Sequence, residues 1–170
     1  MNKAIFLDRD GILNSLVCRD GGFYSPRELS DFDISLDSSD LTSYTKSLGY
    51  LNIVVSNQPD IARGLLKKSV LDAMTEILFT KLKIDDVFYC VHDDSDLCDC
   101  RKPKAGLIFE AAKKWEIDLS NSCLIGDTWK DMEAAKNAKV NSFLLDRVYN
   151  QDYNCDSRIN KLTDVFNFLG

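Results

Sequence analysis

Asp8 and Asp10 stand two residues apart where a short apolar run, Ala4, Ile5, Phe6 and Leu7, breaks off. The run reads as a strand buried on both faces. Residues i and i+2 of a strand share a face, which aims both carboxylates at one place. Two like charges that close are costly unless a cation or a proton relieves them. Gly11 permits a turn, so the pair taken alone also fits a strand entering a polar Asp-Gly turn. A third acid, Asp127, follows Gly126 at the end of another apolar run, residues 122–125. Asp8, Asp10 and Asp127, with no histidine or cysteine among them, form an oxygen-rich set suited to a hard cation. Magnesium is the natural one, because it takes few carboxylates and keeps positions for water and a phosphate oxygen. A carboxylate can also attack phosphorus, and a second one nearby can give and take the proton. Charge on a phosphoryl group in transfer needs donors around it. The Ser56 hydroxyl, the adjacent amides and a lysine such as Lys102 could supply them.

A second constellation is made of sulfur. Of six cysteines, Cys90, Cys98 and Cys100 crowd beside His92, the one histidine of the chain. The pattern Cys90-x-His92-x5-Cys98-x-Cys100 has the ligands of a closed Cys3His zinc site, with no vacant position for catalysis. A disulfide among these thiols is the competing reading. In a chain of this size with no evident signal peptide, a metal site is the more common use. Such a zinc would be structural, folding the loop that carries Arg101 and Lys102. Cys18, Cys123 and Cys155 are scattered, as small hydrophobes are.

The elements that must position these groups alternate in type. Strands are expected at residues 4–7, 50–55, 87–91, 122–125 and 140–145, and helices at 36–48, 67–83, 105–115 and 130–138, with a closing helix at 158–169. Asp37, Ser38 and Ser39 offer caps for the first helix and Gly49 stops it. Val70, Leu71, Met74, Ile77, Leu78 and Leu82 recur at helical spacing in the second. Residues 14–26 are rich in turn formers and suit a loop or small hairpin flap. Alternating strands and helices predict a Rossmann-like α/β fold, a parallel sheet with helices on both faces. Ligands of such a sheet sit at the C-terminal ends of its strands. Asp8 and Asp10, Ser56 and Asn57, the loop after Cys90, and Asp127 would all arrive at that edge.

Composition bounds the rest. A chain of 170 residues with 45% hydrophobic and 28% charged residues suits one ordinary globular domain, residues 1–170, with a full core. A net charge of −6 argues against a nucleic-acid partner. No run approaches the roughly 18 apolar residues of a membrane span. The first strand begins almost at once, so a cytoplasmic protein without a membrane partner is expected.

Asp8-Arg9-Asp10-Gly11, Ser56-Asn57-Gln58, Arg101-Lys102-Pro103, and Gly126-Asp127 followed by Asp131 resemble the four motifs of the haloacid dehalogenase superfamily. Ser56-Asn57-Gln58 with Ile61-Ala62-Arg63-Gly64, together with the Cys90/His92/Cys98/Cys100 loop, is similar to its branch of histidinol-phosphate and heptose-bisphosphate phosphatases. The resemblance spans roughly residues 3 to 146. It implies Asp8 as nucleophile and Asp10 as general acid and base. It implies magnesium bound by the Asp8 carboxylate, the Asp10 main-chain carbonyl and Asp127. Ser56 and Lys102 would hold the phosphoryl oxygens, and Asn57, Arg63 and Arg101 would bind substrate, Arg101 at its distal part. Asp131 would orient Lys102 or a magnesium-bound water, or serve only as an acid at a helix start.

The chain departs from that branch at Pro59-Asp60, where a small residue and a glycine are usual, which bears on specificity more than on mechanism. Gly106 and the segment 20–24 are closer to the heptose enzymes. The reading therefore leans to removal of the 7-phosphate of D-glycero-D-manno-heptose 1,7-bisphosphate. Histidinol phosphate, a phosphorylated amino alcohol, is the alternative substrate, with Asp60 as a partner for its ammonium. A non-catalytic, zinc-stabilised module that binds a phosphorylated ligand is the reading from another class. The short loops and absent large cap suggest a monomer.

Overall fold

In the computed structural model, residues 1–169 are described, and Gly170 lies outside them. Strand β1 (Lys3–Leu7) is the centre of the molecule, and Ala4, Ile5, Phe6 and Leu7 are wholly buried. Its side chains alternate between two cores. Ile5 and Leu7 join one apolar cluster, and Ala4 and Phe6 join the other. A hairpin follows, β2 (Val17–Arg19) and β3 (Gly22–Tyr24), paired antiparallel. Its turn residues Asp20 and Gly21 both have positive φ, as a tight two-residue hairpin turn requires.

The chain then alternates as expected: α1 (Ser38–Ser47), β4 (Tyr50–Asn57), α2 (Lys68–Lys81), β5 (Asp86–Cys90), α3 (Gly106–Trp115), β6 (Cys123–Gly126), α4 (Trp129–Ala138) and β7 (Asn141–Leu145). Leu41 of α1 and Leu71, Met74 and Leu78 of α2 pack on the Ile5/Leu7 face. Leu107, Ile108 and Ala111 of α3 and Met132, Ala134 and Ala135 of α4 pack on the Ala4/Phe6 face. Two helices on each face of one sheet make three layers. Helix α1 begins at Ser38 rather than at residue 36. Leu36 is exposed, and the Asp37 side chain makes no capping bond. Ser38 instead ties the helix start to the main chain of Ile12 and Leu13 through its hydroxyl.

The tail differs from the expected closing helix. Arg158–Ile159 forms strand β8, parallel to β7, and Leu162–Asn167 winds as a 3₁₀ helix. Leu162 and Val165, three apart, are the buried residues of that turn, and a repeat of three fits the 3₁₀ winding better than an α-helical face. Arg158 is meanwhile held extended by Asp146, Asn150 and Tyr153.

The six-stranded sheet has the order β5-β4-β1-β6-β7-β8, all neighbours parallel. The chain winds outward from β1 through β4 to β5, then returns to β6 on the other side of β1. Winding direction thus reverses between β1 and β6, and a crevice opens there at the C-terminal edge. Asp8 follows β1 and Asp127 follows β6, so the two acids flank that reversal.

Candidate active site

A cleft of about 780 Å³ lies over this edge, lined by Asp8, Asp10, Ser56, Asn57, Lys102 and Asp127 on its floor side. The hairpin contributes Gly22 and Phe23, and the loop after β7 contributes Tyr149 and Tyr153. The carboxylates of Asp8, Asp127 and Asp131 present oxygens within 4.8 Å of one another. Lys102 enters from the cysteine-rich loop and is almost entirely buried. Its ammonium donates to Asp8 Oδ1 at 2.8 Å, Asp131 Oδ1 at 2.5 Å and the Val55 carbonyl at 2.8 Å. All its donors are thereby used, which is how a buried ammonium is tolerated. Burial pulls the lysine's pKa down, but Asp131 and Asp8 outweigh it and hold the group above its usual value.

Asp131 meets Lys102 and also caps a helix start, two of the three places open to it. Its Oδ1 takes the lysine, and its Oδ2 accepts from the Thr128 main-chain N–H at 3.0 Å and the Thr128 hydroxyl at 2.6 Å. That second set closes a capping box at the start of α4.

Asp8 and Asp127 are charged more reluctantly. Burial lifts Asp8, Lys102 pulls it back in part and Asp131 adds to the lift, leaving it at about 6. Burial, then Asp8 and Asp131, raise Asp127 well above the carboxylate range. Asp127 Oδ1 is buried and has no hydrogen-bond partner among the described residues. Crowded carboxylates with an orphaned oxygen fit a divalent cation, which would supply the missing positive charge. Asp10 is different. Its carboxylate accepts from Arg9 at 2.8 Å, Asn14 at 3.0 Å and Gln58 at 2.8 Å, outside the Asp8/Asp127/Asp131 cluster. Burial works against its charge, but Arg9, Asn14 and Gln58 hold it below its usual range. Any contact of Asp10 with a cation would therefore fall to its main-chain carbonyl.

Asn57, at the cleft, is also bonded to the loop that carries Lys102. Its amide donates to the Lys102 carbonyl and accepts from the Lys102 N–H, both at 3.0 Å. Ser56 Oγ lies beside it on the cleft floor and accepts from Gln58 at 3.1 Å. Around the rim, Arg63 forms a forked pair with Asp93 at 2.7 Å, and Arg101 bonds Asp94 at 2.7 Å. Lys130, half-buried on the first turn of α4, lines the cleft without an ion pair among the described residues. Asp60, the unexpected acid of the second motif, is paired with Arg27 at 2.7 Å and with Arg63 at 3.5 Å.

The cysteine-rich loop gathers as its spacing suggests. Cys90 Sγ is 3.6 Å from Cys98 Sγ and from His92 Nδ1, and Cys100 Sγ is 3.5 Å from Cys98 Sγ and 3.3 Å from His92 Nδ1. Zn–S and Zn–N bonds imply tetrahedron edges of roughly 3.5–3.8 Å, so the set is zinc-sized. A disulfide would need about 2.05 Å, and these cysteines are free thiols. The loop reaches the cleft directly, because the His92 carbonyl accepts from Arg101 at 3.3 Å. Gly106 has its own reason to lack a side chain. A Cβ there would fall 2.8 Å from the main-chain Cα of Cys100, so α3 could not start against the loop. That is a packing requirement at the start of α3.

Tyr149, Tyr153 and Lys130 went unread in the sequence. The signal was present for the tyrosines, since two aromatic residues stand in a mostly polar stretch just past the edge of β7.

Comparison with known proteins agrees with this geometry. A family model described as HAD-hyrolase-like matches residues 99–152. D-glycero-beta-D-manno-heptose-1,7-bisphosphate 7-phosphatase of Helicobacter pylori is 41% identical over 150 residues, covering 85% of this chain and 83% of the relative. D-glycero-alpha-D-manno-heptose-1,7-bisphosphate 7-phosphatase of Campylobacter jejuni is 32% identical, covering 98% of this chain and 95% of that one. The crystal structure of D,D-heptose 1,7-bisphosphate phosphatase from B. bronchiseptica, complexed with magnesium and phosphate, superposes with a TM-score of 0.84 at 24% identity, covering 98% of this chain and 97% of that one. The chain belongs to the haloacid dehalogenase superfamily, in its family of heptose-bisphosphate phosphatases. It is a phosphoric monoester hydrolase of that type. Among the described residues, no helix is long and apolar enough to cross a membrane.

Proposed function

We propose that this protein removes the 7-phosphate of D-glycero-D-manno-heptose 1,7-bisphosphate, with Asp8 as nucleophile and magnesium at Asp8, the Asp10 carbonyl and Asp127. The observation that carries the reading is the convergence of the Lys102 ammonium on Asp8 and Asp131 beside the unpartnered Oδ1 of Asp127. The bound cation would neutralise the crowded carboxylates and the charge on the phosphoryl oxygens. Asp8 attacks phosphorus with the oxygen that Lys102 does not hold, and the bond from phosphorus to the sugar oxygen breaks. The Ser56 hydroxyl and the Lys102 ammonium, which exchanges the Val55 carbonyl for the incoming group, hold the phosphoryl oxygens while this happens. Asp10, turned away from Arg9 and protonated from solvent as it leaves that cage, gives its proton to the leaving oxygen. Asp10, ionised again, returns toward its cage and takes a proton from water. That water attacks the aspartyl-phosphate and frees phosphate and the Asp8 carboxylate.

The rim favours a second anionic group on the substrate. Arg63, Arg101 and Lys130 line the cleft, and Lys130 has no ion pair among the described residues. Asp60, the acid that could have met an ammonium, is already matched by Arg27 and Arg63. A bisphosphate suits this rim better than histidinol phosphate does. Zinc, held by Cys90, His92, Cys98 and Cys100, would fix the loop that presents Arg101 and Lys102. The whole chain would work as one catalytic domain, cytoplasmic and monomeric, without a nucleic-acid or membrane partner.

Initial rates of phosphate release with magnesium test the reading, comparing both anomers of heptose 1,7-bisphosphate with histidinol phosphate. A kcat/KM ratio above about a hundred in favour of a heptose supports it, about 2.7 kcal/mol of differential transition-state binding. A ratio near one overturns the substrate assignment. Asp8→Asn should release no phosphate while melting as the parent does, and normal turnover by that variant would refute the nucleophile.

A further inference from the structure

The segment after β7 bonds to Asp127 at its main chain and at its carboxylate. Asn150, wholly buried, donates to the Asp127 carbonyl at 2.8 Å and to the Leu145 carbonyl at 2.9 Å. Arg147 donates to the Gly11 carbonyl at 3.0 Å. The Tyr149 hydroxyl donates a short hydrogen bond to Asp127 Oδ2. Gly11, at φ +88°, backs the same carboxylate so closely that a Cβ there would collide with it. One carboxylate oxygen is thereby taken and the other, Oδ1, has no partner among the described residues. The tyrosine is itself seated from outside, since the Phe23 ring of the hairpin lies against it with centroids 5.1 Å apart. Phe23 and Tyr149 both line the cleft.

We infer that Tyr149 is a positioning residue that fixes Asp127 with Oδ1 free for the cation, and that Phe23 links this setting to the β2–β3 hairpin at the mouth of the cleft. The inference rests on Asp127 being a cation ligand, as proposed above. A hydrogen bond from a residue behind the ligand removes rotational freedom from the carboxylate before the ion arrives. Outer partners of this kind typically govern 10- to 100-fold in metal affinity. Among the described residues the hairpin adds none to either apolar core, and the ring of Phe23 anchors it on the site through Tyr149.

The test is Mn2+ binding, read from the free-ion electron paramagnetic resonance signal, with Tyr149→Phe, Phe23→Ala and Asp127→Ala. Tyr149→Phe keeps the ring against Phe23 and removes only the hydroxyl, so the fold should hold. Its dissociation constant for Mn2+ should rise about tenfold or more, and the magnesium concentration for half-maximal rate should rise with it while the sugar KM stays put. A role confined to packing would lower the melting temperature and leave the cation affinity alone. Phe23→Ala, on an exposed hairpin, should move the affinity in the same direction by a smaller factor. If Tyr149→Phe stays within twofold of the parent while Asp127→Ala abolishes binding, the inference is wrong and the cation site stands. If Asp127→Ala binds Mn2+ like the parent, the cation-ligand reading and this inference fall together. An unchanged affinity in Phe23→Ala alone overturns the link to the hairpin.

Discussion

Asn57 and Lys102, on different elements, are joined by a reciprocal pair of 3.0 Å hydrogen bonds, amide to carbonyl and N–H to amide oxygen. The pair stitches the end of β4 to the loop that delivers the site's central cation. Side-chain orientation of Lys102 is therefore set by its main chain as well as by the carboxylates it meets. If Asn57 acts by this means rather than by touching substrate, Asn57→Ala should lower kcat by about 10- to 100-fold with little change in KM. Steady-state kinetics separates the two, since loss of a uniform substrate contact would raise KM alone.

Proton and cation compete at Asp8. Burial, moderated by Lys102 and reinforced by Asp131, leaves this carboxyl at about 6 against an ordinary 3.8. A folded value above the unfolded one means that the folded chain holds the proton more tightly. The contribution of this group to stability is thus present below about 3.8 and is lost as the pH rises through about 6. A cation takes the place of that proton. Magnesium should accordingly raise the melting temperature more at about pH 7.5 than at about pH 5, measured by calorimetry at equal ionic strength.

Loss of zinc should be felt in the cleft, because the His92 carbonyl and Asp94 both hold Arg101. Chelation, or Cys98→Ser, should lower the melting temperature and cost at least about tenfold in kcat/KM. Metal content by mass spectrometry, taken alongside the rates, checks that the two losses track each other.

Asp60 should not choose the substrate. With its charge met by Arg27 and Arg63, Asp60→Asn should change the ratio of kcat/KM for heptose 1,7-bisphosphate over histidinol phosphate by less than about threefold. A collapse of that ratio would show that the acid reads charge on the substrate.

The strand ends were legible in the sequence because they obey a local rule. An apolar run that stops at a carboxylate, as at Leu7-Asp8 and Gly126-Asp127, marks both a buried strand and its catalytic edge. The cysteine-rich loop was legible because its four ligands lie within a few residues of one another, and Lys102 because Arg101-Lys102-Pro103 resembles a motif of the family. The caging of Asp10 by Gln58, the stitch from Asn57 to Lys102 and the pairing of Asp60 with Arg27 join residues far apart in sequence, and no spacing announces them. The tail was misread because nothing local in it announces an extended segment, and the bonds that hold Arg158 extended come from Asp146 and Asn150. Tyr149 was missed because its partner is a carboxylate more than twenty residues upstream.

Asp131 gives one oxygen to the first turn of α4 and the other to Lys102. Catalytic competence and the integrity of a single helical turn are therefore one equilibrium. Helix ends open locally at a free energy far below that of global unfolding. Each such opening would leave Lys102 without one of its two counter-charges and Asp8 without a correctly placed ammonium. Heat would then silence this enzyme reversibly before it melts, and amide exchange at Asp131 would count the silent fraction.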